Sequence, residues 1–290
     1  MGGLGNQMFQ YAAARRLAHH HNTEVVLDCS QLADIRMGDT PRHYELENLS
    51  VNARIASRLE VAEMAVRSER LHLRLLVRLR RLAGLGLHPR VVQESHIGFC
   101  PEILGLPDNV YLCGYWQSEK HFLDIQDIIR DEFSVKGPMS NENEDLAREI
   151  SGNNSVAIHF RRGDYISNAK AAAFHGSLSL NYYEKAMTAI SKAVETPVFF
   201  VFSDDPEWVR NNFKTPYPTR IIASNPPLQA HEDLRLMSLC RHAVIANSSF
   251  SWWGAWLIRN PEKIIIAPET WIKHSDIQVV DLIPDSWIKI

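Results

Sequence analysis

Val156-Ala157-Ile158-His159-Phe160-Arg161-Arg162-Gly163-Asp164-Tyr165 decides how the second half of this chain reads. A largely apolar run passes without alternation into two arginines, a glycine and an aspartate. A short continuous apolar run closed by a turn signal is the mark of a strand buried on both faces. The pattern recurs downstream. Strands are predicted at 198–202, 220–223, 243–246 and 263–267, and helices between them at 181–194, 206–213, 232–240 and 249–258. Asn181 followed by Glu184 reads as a capping box, and Asp205-Pro206 as a cap with proline in the first turn. Short apolar strands alternating with helices imply a parallel sheet covered on both faces, so the chain from about Gly152 onward reads as a Rossmann-like α/β domain.

The first half is less regular. A helix is expected over 6–20 with Phe9, Ala13 and Leu17 on one face, then strands at 24–28 and 110–113 and a helix near 125–133. The polar segment 134–144, with Gly137-Pro138, reads as a linker, which gives domains 1–140 and 141–290. Gly2-Gly3-Leu4-Gly5-Asn6 reads as the turn after a first strand, yet only Met1 precedes it, so that strand is expected to be missing. No internal repeat is evident.

A length of 290 residues suits two domains, and 45% hydrophobic with 22% charged residues is ordinary globular composition. A formal charge of -3 gives no reason to expect nucleic acid as a partner. Cys29, Cys100, Cys113 and Cys240 are scattered without CxxC spacing, which reads as free thiols in a cytoplasmic protein rather than a zinc site. No signal peptide or membrane span stands out. The run from Arg67 to Arg90 holds seven arginines and one acid, with Leu71, Leu75 and Leu79 on one stripe. It suits either a solvated helix packed on the fold or peripheral contact with an anionic inner membrane. His19-His20-His21 closes a helix where histidines meet the dipole favourably, and their consecutive spacing does not suit a metal.

Ligands of parallel sheets bind beyond the carboxyl ends of the strands, where Arg161, Arg162 and Asp164 should lie. Two arginines there suit a diphosphate by bidentate hydrogen bonding, with Asp164 orienting one of them; a surface ion pair is the plainer alternative. Ser203-Asp204-Asp205 ends the next strand. Asp205 reads as a helix cap, leaving Asp204 as the freer carboxylate for a base or ribose. Asn247-Ser248-Ser249-Phe250 precedes a helix whose first amides suit a phosphate, whereas Trp252, Trp253 and Trp256 read as core packing. Gly3-Leu4-Gly5 lacks the third glycine of a dinucleotide fingerprint, so an NAD-dependent oxidoreductase is a weak reading.

Five segments together, GGLGNQMFQYA (2–12), GYWQSEKHF (114–122), HFRRGDY (159–165), FVFSDD (200–205) and DLRLMSLCRHAVIANSSFSWWGAWL (233–257), resemble the bacterial α-1,2-fucosyltransferases of glycosyltransferase family 11. The resemblance implies a GT-B-like α/β fold of two Rossmann-like domains with parallel sheets, the donor held by the C-terminal half, and no metal or other cofactor. It implies inverting transfer of L-fucose from GDP-β-L-fucose to the 2-hydroxyl of a galactoside, on a surface glycan or lipid-linked oligosaccharide such as O-antigen. Carried over residue by residue, Arg161 resembles the contact to the β-phosphate, and His159 with Asp204 or Asp205 the guanine-side contacts. Ser249 and Phe250 resemble the diphosphate and fucose side, and Asn6 a residue of an N-terminal loop facing the donor. Asp164 has two readings, a base for the acceptor hydroxyl or a holder of arginine. The second is favoured, because a carboxylate beside arginines is a poor base. The loop 166–180, including His175, is expected to shape the acceptor site. A fucosyltransferase of another linkage and an inactive glycan- or GDP-binding homologue are the rivals.

Overall fold

The computed structural model describes residues 1–32, 42–64, 71–83, 90–163, 176–273 and 279–290. The chain divides into two compact units, one formed by Met1–Glu47 and Val51–Glu132, the other by Asn48–Ser50 and Phe133–Ile290.

The first unit opens with α1 (Leu4–His21). Gly3 is its N-cap, and Gln7 N donates to Gly3 O at 3.0 Å, so Asn6 sits in the first turn of a helix rather than in a loop. The expected single apolar face is also too narrow: Met8, Tyr11 and Ala12 are as fully buried as Phe9 and Ala13. Such a helix is an interior element, not a surface one. Tyr11 donates its hydroxyl to Glu132, which also pairs with Arg15 Nε at 2.9 Å. Strand β1 (Val25–Leu27) runs parallel to β2 (Ala53–Ile55), which leads to α2 (Arg58–Met64) and α3 (Leu71–Leu82). Strands β3 (Arg90–Gln93) and β4 (Val110–Cys113) form a second parallel pair, and α4 (Gln126–Glu132) ends the unit.

The second unit carries the predicted sheet. Polar residues 141–144, expected to be linker, instead open α5 (Asn141–Ser151), because Ser140 Oγ accepts from Asn143 N at 3.2 Å and Leu146 and Ile150 bury one side. Before it, Val135 pairs with Leu49 in an isolated bridge. Then follow β5 (Asn154–Phe160), α6 (Leu180–Ala193), β6 (Pro197–Ser203), α7 (Pro206–Asn212), β7 (Thr219–Ile221), α8 (Ala230–Leu239), β8 (His242–Val244), α9 (Ser249–Trp256), β9 (Ile265–Ala267) and β10 (Ile288–Lys289). The expected capping box is not made: α6 starts from Ser179, which places Asn181 inside the first turn.

These strands form one six-stranded sheet in the order β10-β9-β8-β5-β6-β7, every pair parallel. Counted from β5, this is the 3-2-1-4-5-6 order of a Rossmann sheet, and the order reverses between β5 and β8. Val156, Ile158 and Phe160 join a core with Tyr183, Met187, Ile190, Val201 and Phe213. The alternate residues Ala157, Phe200 and Phe202 are equally buried, so both faces of the sheet are covered. Trp252, Trp253 and Trp256 pack on one another in α9, with the Trp252 indole donating to Leu282 O at 2.8 Å, which is the core role read for them from sequence. An α/β chain of two units with parallel strands is the fold class expected. All four cysteines are free thiols.

Candidate active site

The reversal point of the sheet fixes where a ligand should sit: beyond the carboxyl ends of β5 and β8. The first of these ends in Phe160 and delivers Arg161, Arg162 and Gly163; the second leads through Asn247 and Ser248 into α9.

Asp204, just past β6, organises the loop after β5. Its two carboxylate oxygens accept from Arg162 N at 2.8 Å and from Gly163 N at 3.0 Å, and Oδ2 also pairs with Arg161 Nη1 at 2.9 Å. One carboxylate thus holds two consecutive backbone amides and the guanidinium that precedes them. Gly163 is required for this approach, since a Cβ at that position would lie 2.8 Å from Asp204 Oδ2. The freer carboxylate of the sequence is in fact the more committed one. Both side chains keep about a fifth of their surface, 22% for Arg161 and 23% for Asp204, so the pair is reachable from solvent.

Arg162 is held differently. Its guanidinium carbon lies 3.4 Å from the centroid of the Trp208 ring, and Nε is 3.5 Å from Asp205 Oδ2. A cation stacked on indole contributes about 0.5–2 kcal/mol, depending on its desolvation. Asp205 meanwhile caps α7, accepting from Trp208 N at 3.0 Å, and its own amide donates to the Ser203 hydroxyl at 3.0 Å. The cap read from sequence is therefore real, and the same cap seats the tryptophan under Arg162.

His159 is 3% exposed and its ring lies 5.5 Å from that of Phe250. Burial first, and the neighbouring Arg161 charge second, push its pKa down to about 3, so the imidazole is neutral at physiological pH. Its Nδ1 makes no hydrogen bond among the described residues. Ser249 and Phe250 open α9, where Trp252 N to Ser248 O at 3.0 Å is the first intrahelical bond of the turn, leaving the amides of 249–251 at the positive end of the helix. Asn247 Nδ2 donates to Gly176 O at 3.2 Å and Trp271 O at 3.3 Å, which fixes the entry to that turn.

Two tyrosines of α6 brace the strand ends from below. Tyr182 donates its hydroxyl to Ile245 O at 2.7 Å, and Tyr183 to His159 O at 3.1 Å while stacking on Phe160 at 3.8 Å. Such a stack contributes about 0.5–1.5 kcal/mol beyond its buried area.

The structure thus brings together His159, Arg161, Arg162, Ser203, Asp204 and Asp205, with Phe250 against His159. Asn6 belongs to the first unit, where its Oδ1 accepts from Gln117 Nε2 at 2.7 Å. Asp164 and His175 lie outside the described residues. Sequence reasoning missed Trp208, Tyr182, Tyr183 and the need for Gly163. The signals were a tryptophan three residues after a capping aspartate, and a Tyr-Tyr pair in the first turn of the helix that follows the arginine strand.

The sequence model of Glycosyl transferase family 11 matches residues 98–290. The chain is 34% identical to the O-antigen biosynthesis glycosyltransferase WbnK of Escherichia coli, over 100% of this chain and 98% of that protein. It is 30% identical to an alpha-1,2-colitosyltransferase of Escherichia coli, over 100% of this chain and 96% of the other. A galactoside 2-alpha-L-fucosyltransferase, SEC1 of Bos taurus, is 28% identical over 51% of this chain and 42% of its own length. Among solved structures, the fucosyltransferase NodZ from Bradyrhizobium aligns with a TM-score of 0.44 at 14% identity, over 87% of this chain and 88% of that one, too loose a likeness to carry an argument.

Proposed function

The chain belongs to glycosyl transferase family 11, and we propose that within it the chain transfers L-fucose from GDP-β-L-fucose to the 2-hydroxyl of a galactoside, with inversion and without a metal. The observation that carries this reading is Arg161: a guanidinium at the reversal point of the sheet, clamped by Asp204 and still open to solvent. Departure of a nucleoside diphosphate builds negative charge on the β-phosphate oxygens, and a fixed cation there stabilises the transition state more than the ground state. The amides that open α9 add donors of the same sign.

In the proposed reaction the acceptor oxygen forms a bond to C1 of fucose from the face opposite the diphosphate. The C1–O bond to the β-phosphate breaks, GDP leaves with the electron pair, and the hydroxyl proton passes to a base or to solvent. For Asp164 the arginine-holding role is kept over that of base, because a carboxylate beside arginines has a lowered pKa and is a poor base. His159, neutral and buried with its ring 5.5 Å from that of Phe250, is assigned to the guanine side and Phe250 to the sugar side. The acceptor is proposed to be a surface glycan of the O-antigen kind, by analogy with WbnK.

The test is turnover of GDP-fucose with lactose and other galactosides in EDTA. Acceptor-dependent GDP release in EDTA, with an α-1,2 linkage in the product, is expected. Activity lost in EDTA and restored by a divalent ion overturns the metal-free reading, and another linkage overturns the regiochemistry. The colitosyltransferase relative favours a second reading, a 3-deoxy sugar donor. A preference for a colitosyl donor over GDP-fucose in direct competition selects it.

A further inference from the structure

Helix α3 belongs to the first unit and carries none of the residues assigned above to the transfer reaction. It is tied to α2 through Arg80, whose Nε lies 2.6 Å from Oε1 of the nearly buried Glu63, and its Val77 is buried. At about 100° per residue, Leu75, Leu79 and Leu82 fall within an arc of roughly 60° on the side away from Val77. They are 62%, 57% and 78% exposed, and Leu76 beside them is 43% exposed. Exposed leucines in that concentration cost solubility unless something covers them.

The charges of the same helix say what does. Its twelve residues include Arg74, Arg78, Arg80 and Arg81 and no acid. A second copy of the chain set against this stripe by a two-fold axis would bring two helices of the same positive charge together. An anionic bilayer instead offers phosphates to the arginines and acyl chains to the leucines. Twelve helical residues rise only about 18 Å, too short to cross a bilayer. A leucine stripe on a short, arginine-rich helix is the pattern of an element that lies in a membrane interface without spanning it. We propose that α3 docks flat on an anionic lipid surface, with Leu75, Leu79 and Leu82 at the boundary of headgroups and acyl chains and with the positive charge of the helix held by the lipid phosphates.

The full chain is tested by co-sedimentation with phosphatidylcholine vesicles, with and without phosphatidylglycerol. Binding is expected only where phosphatidylglycerol is present, and should weaken about 10-fold or more when NaCl rises from about 0.05 to about 0.5 M. The double variant Leu75→Glu/Leu79→Glu should lose it by about 100-fold or more. Arg74→Gln/Arg78→Gln should weaken it by about 10-fold or more with the leucines intact. No binding to anionic vesicles overturns the proposal, as does binding that survives Leu75→Glu/Leu79→Glu. A dimer in analytical ultracentrifugation that Leu79→Glu dissociates assigns the stripe to a second copy and also overturns it. Turnover on a free galactoside should be equal in wild type and variants, so loss of lipid binding is read separately from any failure of the proposed reaction.

Discussion

Replacing Asp204 by asparagine tests whether Arg161 works because it is held. In the native loop one carboxylate accepts two backbone amides at 2.8 and 3.0 Å and pairs with Arg161 at 2.9 Å. Asparagine keeps the shape but offers one acceptor oxygen, and turns its NH2 either toward the Arg162 amide or toward both the Gly163 amide and the guanidinium, which share Oδ2. In either orientation at least one donor faces a donor, the surviving bonds run to a neutral oxygen, and the ion pair is lost. Hydrogen bonds to a charged group contribute about 1.5–3 kcal/mol, discounted here because the pair is partly solvated. The net loss is about 2–3 kcal/mol, or roughly 30- to 150-fold in kcat/KM for the donor. Steady-state kinetics with varied GDP-fucose and calorimetric GDP binding should both register it. A double-mutant cycle sharpens the test: in an Arg161→Ala background, Asp204→Asn should cost clearly less than in wild type, since one of the three groups it holds is gone. Independent, additive losses, or a single variant with wild-type kinetics, would refute the clamp.

Other outcomes follow from the same geometry. Arg161→Ala should cost on the order of 10²–10³-fold in kcat, and Arg161→Lys should restore only part of it, because an ammonium lacks the planar fork; product formation from GDP-fucose measures both. Gly163→Ala forces a Cβ to 2.8 Å from Asp204 Oδ2, so the loop must move and turnover should fall by about 10-fold or more, with little change in melting temperature. Asp233 is a third, separate case: burial first raises its carboxyl pKa to about 6, against which Asn225 donates at 2.8 Å. A carboxyl with a raised folded pKa contributes stability that is present below its unfolded value near 4 and is lost as pH rises through about 6. Asp233→Asn should therefore be more stable than wild type above about pH 7, by roughly 1–3 kcal/mol, with the difference gone near pH 4; urea unfolding across that range checks it.

Much of the second unit was legible because its strands are buried on both faces, and continuous apolar runs such as 156–160 and 198–202 fit little besides such a strand. The strand Ile288–Lys289 escaped because two residues at a sheet edge carry no period. Helix Asn141–Ser151 escaped because most of its side chains are polar, and only Leu146 and Ile150 spell the buried side. At the site, the arginines announced themselves by following a strand. What Asp204 does was hidden, since its partners are backbone amides 41 and 42 positions away, and backbone groups leave no trace in a sequence. Asp205 was readable for the opposite reason: its partner is local, three residues on.

The tyrosines beneath the sheet have one more effect. A buried carbonyl oxygen near the carboxyl end of a strand needs a donor, and one left unpaired would repel an anion placed near it. Tyr183 and Tyr182 donate hydroxyls to the carbonyls of His159 and Ile245, one at each of the two strands that flank the reversal point. Two lone pairs are thereby occupied from within the core before any ligand arrives. The rim that remains is weighted toward donors, and it should discriminate against neutral, donor-rich molecules such as free sugars in favour of those that arrive carrying phosphate.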